Sequence, residues 1–333
     1  MKIIVTGCYG FIGFNFINYL LKNYSNDIFI VGIDSLETNC SKLNAKNIQT
    51  NDNFLFIKED ICKILDIGYD FSDFDATVNF AAESHVDNSI RSPEKFINSN
   101  ILGTLKVFQN SLENDIENNI HISTDEVYGS AKEHFFSEKE ILNPSSPYSA
   151  SKASAEMICK SLQKTYGLNL NIVRPANNYG IFQQPEKLIP FSILSLISNN
   201  NIEIYGDGKN IRHWVHVEDT CSAIFKIMSG SYENEIFNIG SGEYMNNLDL
   251  ANQILKYFDY EEDRISFVSD RPGHDFRYAI DISKIQATGW KPAHKIDESL
   301  RDVISWYESN QDWWLDEYKT TIKNRLSRFK ISN

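Results

Sequence analysis

Three adjacent residues, Thr124-Asp125-Glu126, place a hydroxyl and two carboxyl groups side by side directly after an apolar run. Two carboxyl groups held close together take different pKa values, so one can serve as an acid and the other as a base. Neighbouring side chains on a regular strand point to opposite faces, so both carboxyls reach one substrate only if the chain turns here. Two solvated loop acids are the alternative interpretation of this triplet.

Tyr148 and Lys152 are four residues apart in the hexapeptide P-Y-S-A-S-K of residues 147–152. On a helix, side chains at this spacing share one face. An ammonium close to a phenol favours the phenolate and lowers its pKa, which is otherwise about 10. The pair therefore predicts that Tyr148 acts as a base toward a hydroxyl group near neutral pH, the alternative being a surface pair.

Three glycines, Gly7, Gly10 and Gly13, follow the apolar run 2–6 and precede a predicted helix over 14–24. Gly7 and Gly10 can take backbone angles closed to other residues and let main-chain N–H groups approach an anion. Gly13 allows the helix to pack close to the strand, and the helix N-terminus then faces a pyrophosphate. The loop predicts a dinucleotide site, with a plain tight turn as the alternative.

Asp34 ends the second apolar run, residues 28–33, and lies about 20 residues beyond the glycine loop. A carboxylate at this position suits a ribose 2′-hydroxyl and repels a 2′-phosphate. The predicted cofactor is therefore NAD rather than NADP.

The composition limits the classes of partner. The 333 residues are 42% hydrophobic and 23% charged, with a formal net charge of −13. Such an acidic chain is not drawn to nucleic-acid backbones or anionic lipid. No apolar run reaches the ~18 residues of a membrane span, and the N-terminal strand is not a signal peptide. The five cysteines are scattered without a C-x-x-C pair, so we expect reduced thiols, no metal and a cytoplasmic location.

Strand-like and helix-like segments alternate along the chain, which predicts an α/β protein with a doubly wound parallel sheet (Rossmann) and ligands at the carboxyl ends of the strands. Further strands are predicted near 54–57, 76–80, 120–123 and 170–173, with a strand near 235–239 returning to the sheet. Helices are predicted near 93–114, 149–166, 187–198, 217–229, 247–258 and 297–308.

Two parts of the chain are predicted to carry different tasks. Residues 1–175, with roughly 213–240, form the NAD-binding Rossmann domain, and 176–212 and 241–333 form a smaller C-terminal substrate-binding lobe. The basic stretch 319–330 is expected to be a solvated, poorly ordered end.

With these motifs in place, the chain resembles the extended short-chain dehydrogenase/reductases, and within them the nucleoside-diphosphate-glucose 4,6-dehydratases. The resemblance extends from Met1 to about Tyr307. It is carried by the segments 81–87 (AAESHVD), 123–129 (STDEVYG), 146–152 (SPYSASK), 177–180 (NNYG), 185–190 (PEKLIP) and 270–275 (DRPGHD).

The resemblance implies a reaction in three stages. Tyr148, assisted by Lys152 and Thr124, takes the proton of the sugar C4 hydroxyl while hydride leaves C4 for NAD. Glu126 then removes the C5 proton and Asp125 protonates the departing C6 hydroxyl, so that water is lost. Hydride then returns to C6 while Tyr148 or Glu126 reprotonates C5, and the product is the 4-keto-6-deoxy sugar nucleotide.

The expected substrate is dTDP-glucose, with UDP-glucose as the alternative. A sugar-nucleotide 4-epimerase is a further alternative, against which the adjacent Asp125-Glu126 pair argues. A non-catalytic NAD-binding protein is another, against which the complete set of acids, tyrosine and lysine argues. A homodimer is also expected, because the two helices predicted near 93–114 and 149–166 carry more apolar positions, such as Phe96, Ile97 and Phe108, than one buried face needs.

The resemblance also implies two sets of binding residues. Those expected to hold NAD are Gly7, Gly10, Phe11, Ile12, Gly13, Asp34, Ser35, Asp60, Ile61, Phe80, Ala81, Ala82, Ser99, Tyr148, Lys152 and Asn177. Those expected along the nucleotide-sugar groove are Ser84, Thr124, Asn178, Lys187, Leu188, Tyr205, Arg212, Asn247, Arg271 and His274. The two arginines suit a diphosphate because a guanidinium meets two oxygens at once.

Overall fold

The computed structural model describes residues 1–48 and 51–326 of the chain. Its strands, β1 to β12 in chain order, are Lys2–Thr6, Phe29–Asp34, Phe54–Lys58, Ala76–Asn79, Asn118–Ile122, Leu170–Pro175, Asn177–Tyr179, Ile202–Tyr205, Ile211–His216, Ile236–Ile239, Glu243–Asn246 and Ile265–Val268. Its α-helices, α1 to α12, are Phe11–Tyr24, Asn39–Ile48, Val86–Arg91, Pro93–Phe96, Thr104–Glu113, Pro147–Tyr166, Leu188–Ile197, Val217–Met228, Asn247–Tyr257, Ser283–Ala287, Ile296–Ser309 and Gln311–Leu326. Short 3₁₀-helices span Ile61–Asp66, Asp125–Tyr128 and Glu262–Arg264, and a π-helix spans Ile97–Gly103.

Seven strands form a sheet in the order β10-β6-β5-β4-β1-β2-β3, and every pairing in it is parallel. β1 lies between β2 and β4, with Ile3 opposite both Ile30 and Ala76. The order of the strands reverses beside β1, and ligands bind at such a switch point, outside the carboxyl ends. The predicted doubly wound sheet is confirmed, and the predicted return of a strand near 235–239 is confirmed by β10.

The sheet is covered on both faces because side chains alternate along each strand. Ile3 and Val5 of β1 belong to the core that includes α1 and α8 residues, and Ile4 belongs to the core that includes α5 and α6 residues. The parallel strands are therefore buried on both sides, as their continuous apolar sequences predict.

The helix predicted near 93–114 is interrupted in the structure. It consists of α4, the π-helix Ile97–Gly103 and α5 in succession. Within the π-helix, Gly103 approaches the 3₁₀-helix that begins at Ile61, and a Cβ added to Gly103 would lie 2.3 Å from Ile61 Cδ1. A larger residue at position 103 would therefore require the Ile61 side chain to move.

The second half of the chain builds a separate core around two small sheets, ordered β11-β9-β7 and β12-β8. This lobe core contains Tyr179, Trp214, Ile254 and Tyr307, and Cys40 of α2 also belongs to it. Helix α2 thus packs against the lobe although it follows the second strand of the main sheet. Among the described residues, no helix is long and apolar enough to span a membrane.

The expectation of a poorly ordered C-terminal end is wrong for residues 319–326, which belong to α12. Its basic residues Lys319 and Lys323 are exposed, as expected of a solvated segment. Trp313, Trp314 and Tyr318 of this helix are buried in the lobe core. Charge dominates the local sequence, but the buried aromatic side chains anchor the helix. Residues 327–330 of the basic stretch lie outside the described residues.

Candidate active site

A cleft with a volume of about 490 Å³ opens at the carboxyl ends of the parallel strands. Every residue expected to hold NAD lines it, from the glycine loop through Asp34 and Ala81 to Asn177. The acid triplet, Tyr148 and Lys152 line the same cleft. Motifs that are far apart in sequence therefore converge on one site.

The glycine loop is packed as tightly as its sequence predicts. Gly7 has a φ of +64°, and a Cβ there would lie 2.6 Å from the backbone nitrogen of Ala81. A Cβ on Gly13 would lie 2.3 Å from the Gly7 carbonyl oxygen. The loop leaves its backbone facing the cleft beside the first turn of α1, an arrangement that fits a pyrophosphate.

Asp34 is held in one orientation at the end of β2. Its two carboxylate oxygens accept hydrogen bonds from the backbone N–H groups of Tyr9, at 3.0 Å, and Leu36, at 2.8 Å. Burial raises the pKa of the Asp34 carboxyl, and these two donors oppose that shift. A fixed carboxylate that lines the cleft fits a ribose hydroxyl, so the residues present suit NAD.

The chain turns at the acid triplet, as a shared substrate requires. Thr124 is extended, with φ −160° and ψ 153°, and its Oγ1 accepts a hydrogen bond from the backbone N–H of Glu126 at 3.3 Å. A 3₁₀-helix begins at Asp125. The turn brings both carboxyl groups to the cleft instead of to opposite faces of a strand.

The two acids differ in their surroundings. Asp125 is only 3% exposed, and burial, followed by the nearby Glu126 charge, raises the pKa of its carboxyl well above the usual range. Its Oδ2 atom has no hydrogen-bond partner among the described residues. Glu126 instead accepts a hydrogen bond at Oε2 from the Tyr278 hydroxyl at 3.3 Å. Asp125 is therefore suited to hold a proton and Glu126 to accept one.

Tyr148 and Lys152 lie one turn apart on α6, which starts with a Ser146–Ser149 capping box. Burial, followed by the Glu126 charge, raises the pKa of the Tyr148 phenol, while the Thr124 hydroxyl lowers it. Lys152 donates from Nζ to the Ile122 carbonyl at 2.6 Å, and burial lowers its pKa to about 8. The expectation that the pKa of the Tyr148 phenol is lowered is wrong for the protein's own groups, because burial and the charges of Glu126 and Asp125 raise it.

The residues expected along the substrate groove fall into two groups. Ser84, Asn178 and Lys187 line the cleft together with Thr124, and Lys187 Nζ donates to the Ser84 carbonyl at 2.8 Å. The others are not among the cleft-lining residues: Leu188, Tyr205, Arg212, Asn247, Arg271 and His274.

Four of these outer residues form one network. The NH2 atom of Arg212 lies 2.7 Å from Nε2 of His274. The Tyr205 hydroxyl donates a hydrogen bond to Asp87 Oδ2 at 2.6 Å. Arg271 NH1 is 3.7 Å from Asp87 Oδ1. The rings of Tyr205 and His274, with centroids 6.2 Å apart, join these contacts, so the two arginines that were expected together at the diphosphate belong to one network. Leu188 and Asn247 instead begin α7 and α9.

Tyr278 joins this network to the acids, and it was not predicted. The Arg212 guanidinium stacks over its ring at 4.2 Å from the centroid, and its hydroxyl reaches Glu126. No sequence motif distinguishes this tyrosine, because its position depends on how the segment around 277–280 pairs with the lobe.

Asn100 is a second residue that was not predicted. Its Nδ2 donates to the Glu83 carbonyl at 3.0 Å and to Ser151 Oγ at 2.8 Å, and its Oδ1 accepts from the Glu83 N–H at 2.8 Å. It therefore fastens the loop that follows β4 to the helix of Tyr148. In the sequence, Asn100 is one polar residue within a predicted helix, and no motif marks it as important.

Outside the cleft, and within the described ranges, His216, Glu218 and His294 have ligand-type atoms within 4.8 Å of one another. The two imidazole rings stack with centroids 4.2 Å apart, so their in-plane lone pairs do not converge on one point. Asp219 accepts hydrogen bonds from the backbone N–H groups of Ala293 and His294, each at 3.0 Å. These contacts tie the 293–294 segment to the start of α8.

Fold and site together define a dinucleotide-binding α/β protein of the extended short-chain dehydrogenase/reductase type, with an acid pair beside its tyrosine and lysine. A family model described as GDP-mannose 4,6 dehydratase matches residues 4–303. The chain belongs to this family of sugar-nucleotide dehydratases.

Individual relatives match over nearly their whole length. The low-salt glycan biosynthesis protein Agl12 of Haloferax volcanii is 41% identical over 307 residues, which is 92% of this chain and 98% of that protein. The dTDP-glucose 4,6-dehydratase of Streptomyces niveus is 37% identical over 318 residues, 94% of this chain and 95% of that protein.

Solved structures agree with this result. The dTDP-glucose 4,6-dehydratase DesIV of Streptomyces venezuelae, determined with NAD bound, has a TM-score of 0.92 at 36% identity and covers 95% of this chain and 100% of its own. A UDP-glucuronic acid 4-epimerase of Bacillus cereus has a TM-score of 0.86 at 27% identity, covering 93% and 99% of the two chains.

Proposed function

We propose that this protein is an NAD-dependent hydro-lyase that converts a nucleoside-diphosphate-glucose, with dTDP-glucose as its substrate, to the 4-keto-6-deoxy sugar nucleotide. The observation that carries the proposal is the convergence of Asp125, Glu126, Tyr148 and Lys152 on one cleft, with the Asp125 carboxyl buried and its pKa raised. The dTDP-glucose 4,6-dehydratases that match this chain over most of their length support the choice of substrate.

NAD is held by the glycine loop, Asp34, Ser35, Asp60 and the segment that begins at Phe80. When bound, it supplies the two-electron acceptor that keeps the hydride between its removal from C4 and its return to C6. Asp34 determines the preference for NAD, because a second negative charge on the ribose would face a carboxylate in a partly desolvated site.

Tyr148 is the base for the C4 hydroxyl, and Thr124 orients and polarises its phenol. Lys152 contributes positive charge beneath the site, where its Nζ is fixed by the Ile122 carbonyl. The oxidation at C4 creates a ketone, which acidifies the neighbouring C5–H bond for the next step.

The two acids, Asp125 and Glu126, carry out the elimination of water. Glu126 removes the C5 proton and Asp125 donates a proton to the C6 hydroxyl, which leaves as water. Hydroxide is a poor leaving group, so the donor must carry a proton when it acts, and the burial of the Asp125 carboxyl favours its protonated form. An epimerase does not need this acid, which is why the adjacent pair favours a dehydratase.

The sugar-nucleotide groove extends from Ser84, Asn178 and Lys187 in the cleft toward Leu188 and Asn247, with Tyr205, Arg212, Arg271 and His274 at the diphosphate. We also propose that the chain is divided into two parts. Residues 1–175 and roughly 213–240 form an NAD-binding domain, and residues 176–212 and 241–333 form a nucleotide-sugar-binding lobe. The protein is further proposed to be a cytoplasmic homodimer.

The test is incubation of the purified protein with dTDP-glucose, UDP-glucose and GDP-mannose in parallel, followed by the base-induced absorbance of the 4-keto product and by mass spectrometry. We expect the highest kcat/KM with dTDP-glucose and loss of one water from the sugar. A higher kcat/KM with UDP-glucose would change the assigned nucleotide but keep the reaction. A product of unchanged mass with an inverted C4 centre, or no product from any hexose nucleotide, would overturn the proposed reaction.

A further inference from the structure

A fully buried ion pair lies beneath the cleft and is not used by the chemistry described above. Glu156 follows Lys152 by one turn of α6, and Arg174 is on β6. Arg174 Nε is 2.8 Å from Glu156 Oε1 and its NH2 is 2.5 Å from Oε2, a bidentate contact. The Glu156 side chain is 0% exposed and the Arg174 side chain is 1% exposed.

Glu156 also holds the start of the acid triplet. Ser123 donates from Oγ to Glu156 Oε1 at 2.6 Å, and the backbone N–H of Ser123 donates to the Val173 carbonyl at 2.7 Å. Ser123 immediately precedes Thr124 in the chain. The helix that carries Tyr148 is therefore connected, through one carboxylate, to the strand end that carries the acids.

Arg174 holds the other end of the same segment. Its NH1 donates to the Tyr128 hydroxyl at 2.6 Å, and the guanidinium lies over the Tyr128 ring at 4.7 Å from the centroid. Tyr128 is the last residue of the 3₁₀-helix that begins at Asp125, and its own hydroxyl donates to Asn238 Oδ1 at 2.8 Å. The ion pair thus contacts both ends of residues 123–128, between which the two acids lie.

Stability alone does not account for such a pair. Removing two charges from water is costly, and apolar replacements of buried pairs are often neutral or stabilising. A buried, bidentate pair does, however, restrict the relative positions of the groups it joins, because its geometry has few alternatives in a low-dielectric interior.

We propose that Glu156 and Arg174 are positioning residues for the elimination step. They fix the acid-bearing segment 123–128 relative to helix α6, so that Asp125 and Glu126 meet the sugar that Tyr148 has oriented. This inference rests on the proposed function. Oxidation at C4 depends chiefly on Tyr148 and Lys152, which share α6, and on the segment 123–128 only through the Thr124 hydroxyl at its start. Elimination instead needs both carboxyl groups of that segment in place against the sugar.

The test compares two rates in single-turnover experiments: the appearance of reduced cofactor, which reports C4 oxidation, and the formation of the 4-keto-6-deoxy product. Arg174→Lys keeps the charge but loses the bidentate fork, and Tyr128→Phe leaves the ion pair intact but removes its link to the end of the 3₁₀-helix. We expect C4 oxidation to change less than about threefold and elimination to slow by about 10- to 100-fold in Arg174→Lys, since small misplacements of reacting groups cost up to about 100-fold. Tyr128→Phe should show the same selectivity with a smaller loss.

The control is Ile172→Ala, on the same strand and the same face as Arg174 but in the apolar core. It creates a cavity without touching residues 123–128, so both rates should keep their parental ratio when measured below its melting temperature. Equal losses of both rates in all three variants, or parental rates in Arg174→Lys, would overturn the positioning role. If Arg174→Lys does not fold, Tyr128→Phe decides the outcome alone. A parent protein that forms no product would instead refute the proposed function, and this inference with it.

Discussion

Replacing Asp125 by asparagine separates the first chemical step from the second. The amide has nearly the same shape as the carboxyl group and can keep the contact from the Thr124 hydroxyl to Oδ1, which is 3.4 Å in the parent. It cannot, however, donate a proton to a leaving hydroxyl. Because Asp125 is 3% exposed and burial raises the pKa of its carboxyl, burial favours the uncharged form, which the amide resembles. We therefore expect little change in the melting temperature.

The expected loss follows from the role of a general acid. Positioned proton donors contribute about 10²–10⁴ in rate, which corresponds to about 3–5 kcal/mol of activation free energy. In Asp125→Asn, C4 oxidation should proceed at the parental rate while elimination falls by this factor. Reduced cofactor should then accumulate, and stopped-flow absorbance after mixing with dTDP-glucose measures it directly. Product formation in the same reaction is followed by mass spectrometry.

The pH dependence gives an independent measurement. Only the protonated carboxyl donates, so the parental elimination rate should fall as the pH rises through the raised pKa of Asp125. The apparent value belongs to the coupled Asp125–Glu126 pair rather than to one residue. Asp125→Asn should lack this alkaline decrease.

Asp34→Asn is the matched control, because it makes the same change in the same cleft but at the expected ribose site. It should weaken NAD binding and leave the ratio of the two rates unchanged. If Asp125→Asn forms the 4-keto-6-deoxy product at the parental rate, Asp125 is not the acid.

Other predictions concern the base, the buried lysine, the cofactor and the assembly. Glu126→Gln should block exchange of the C5 proton with solvent deuterium, measured by NMR, while C4 oxidation continues; normal exchange would contradict its role as the base. The pKa of Lys152 is about 8 in the fold against 10.5 in the unfolded chain, so at this lysine the unfolded state binds more protons between these values, and its own contribution to stability rises with pH across them by up to about 3 kcal/mol. In denaturant titrations across that window, the difference in unfolding free energy between the parent and Lys152→Met should therefore shift in favour of the parent as the pH rises, and a difference that does not depend on pH would exclude this contribution. NAD should co-purify with the protein and be found after denaturation, and a supernatant that contains mainly NADP would contradict the role of Asp34. Ile97 and Met157, which are 52% and 49% exposed on neighbouring helical segments, should form part of a dimer interface; Ile97→Glu with Met157→Glu should give a monomeric mass by light scattering, and a parent that is already monomeric at micromolar concentration would refute the dimer.

The main sheet and its binding loop could be predicted from the sequence because they depend on local patterns. Apolar strands alternate with amphipathic helices, and a parallel sheet brings the ends of all its strands to one edge. Asp34 and the acid triplet both directly follow predicted strands, and the structure places both in the cleft. For these residues, position along the chain is sufficient to determine position in space.

The apolar helices show where this reasoning fails. Phe96 and Phe108 were expected to contribute to an excess of apolar surface, yet they are 1% and 0% exposed and pack within the chain. Ile97, adjacent to Phe96, is exposed. The π-helical segment Ile97–Gly103 changes the period of the helix, so a face assigned with a regular period of 3.6 residues is displaced. The dimer prediction consequently keeps Ile97, loses Phe96 and Phe108, and gains Met157 of α6.

Tyr278 and the C-terminal helix could not be predicted because tertiary contacts define them. The Tyr278 hydroxyl donates hydrogen bonds to Asp275 and to Glu126. Glu126 is 152 residues away in the sequence, and the packing of the lobe brings it close to Tyr278. Helix α12 begins in a charged sequence, but Trp313 donates from its indole nitrogen to Asn44 Oδ1 at 2.7 Å and so fastens α12 to α2. Such tertiary contacts produce no periodic pattern in the local sequence, so the sequence alone does not predict them.

The pKa values of the two central groups require an explanation that burial alone does not provide. The proposed reaction needs Tyr148 to lose a proton and Asp125 to keep one, although burial raises the pKa of both. The Thr124 hydroxyl opposes the shift at Tyr148, whereas the charge of Glu126 adds to it. An oxidised nicotinamide in this cleft would supply a positive charge, which would offset the repulsion that Glu126 exerts on a phenolate. We therefore expect Tyr148 to be a stronger base in the NAD complex than in the protein without NAD, whereas burial favours the protonated form of Asp125 in both. This difference would couple proton removal at C4 to the presence of a hydride acceptor, and it would favour a protonated acid for the elimination that follows.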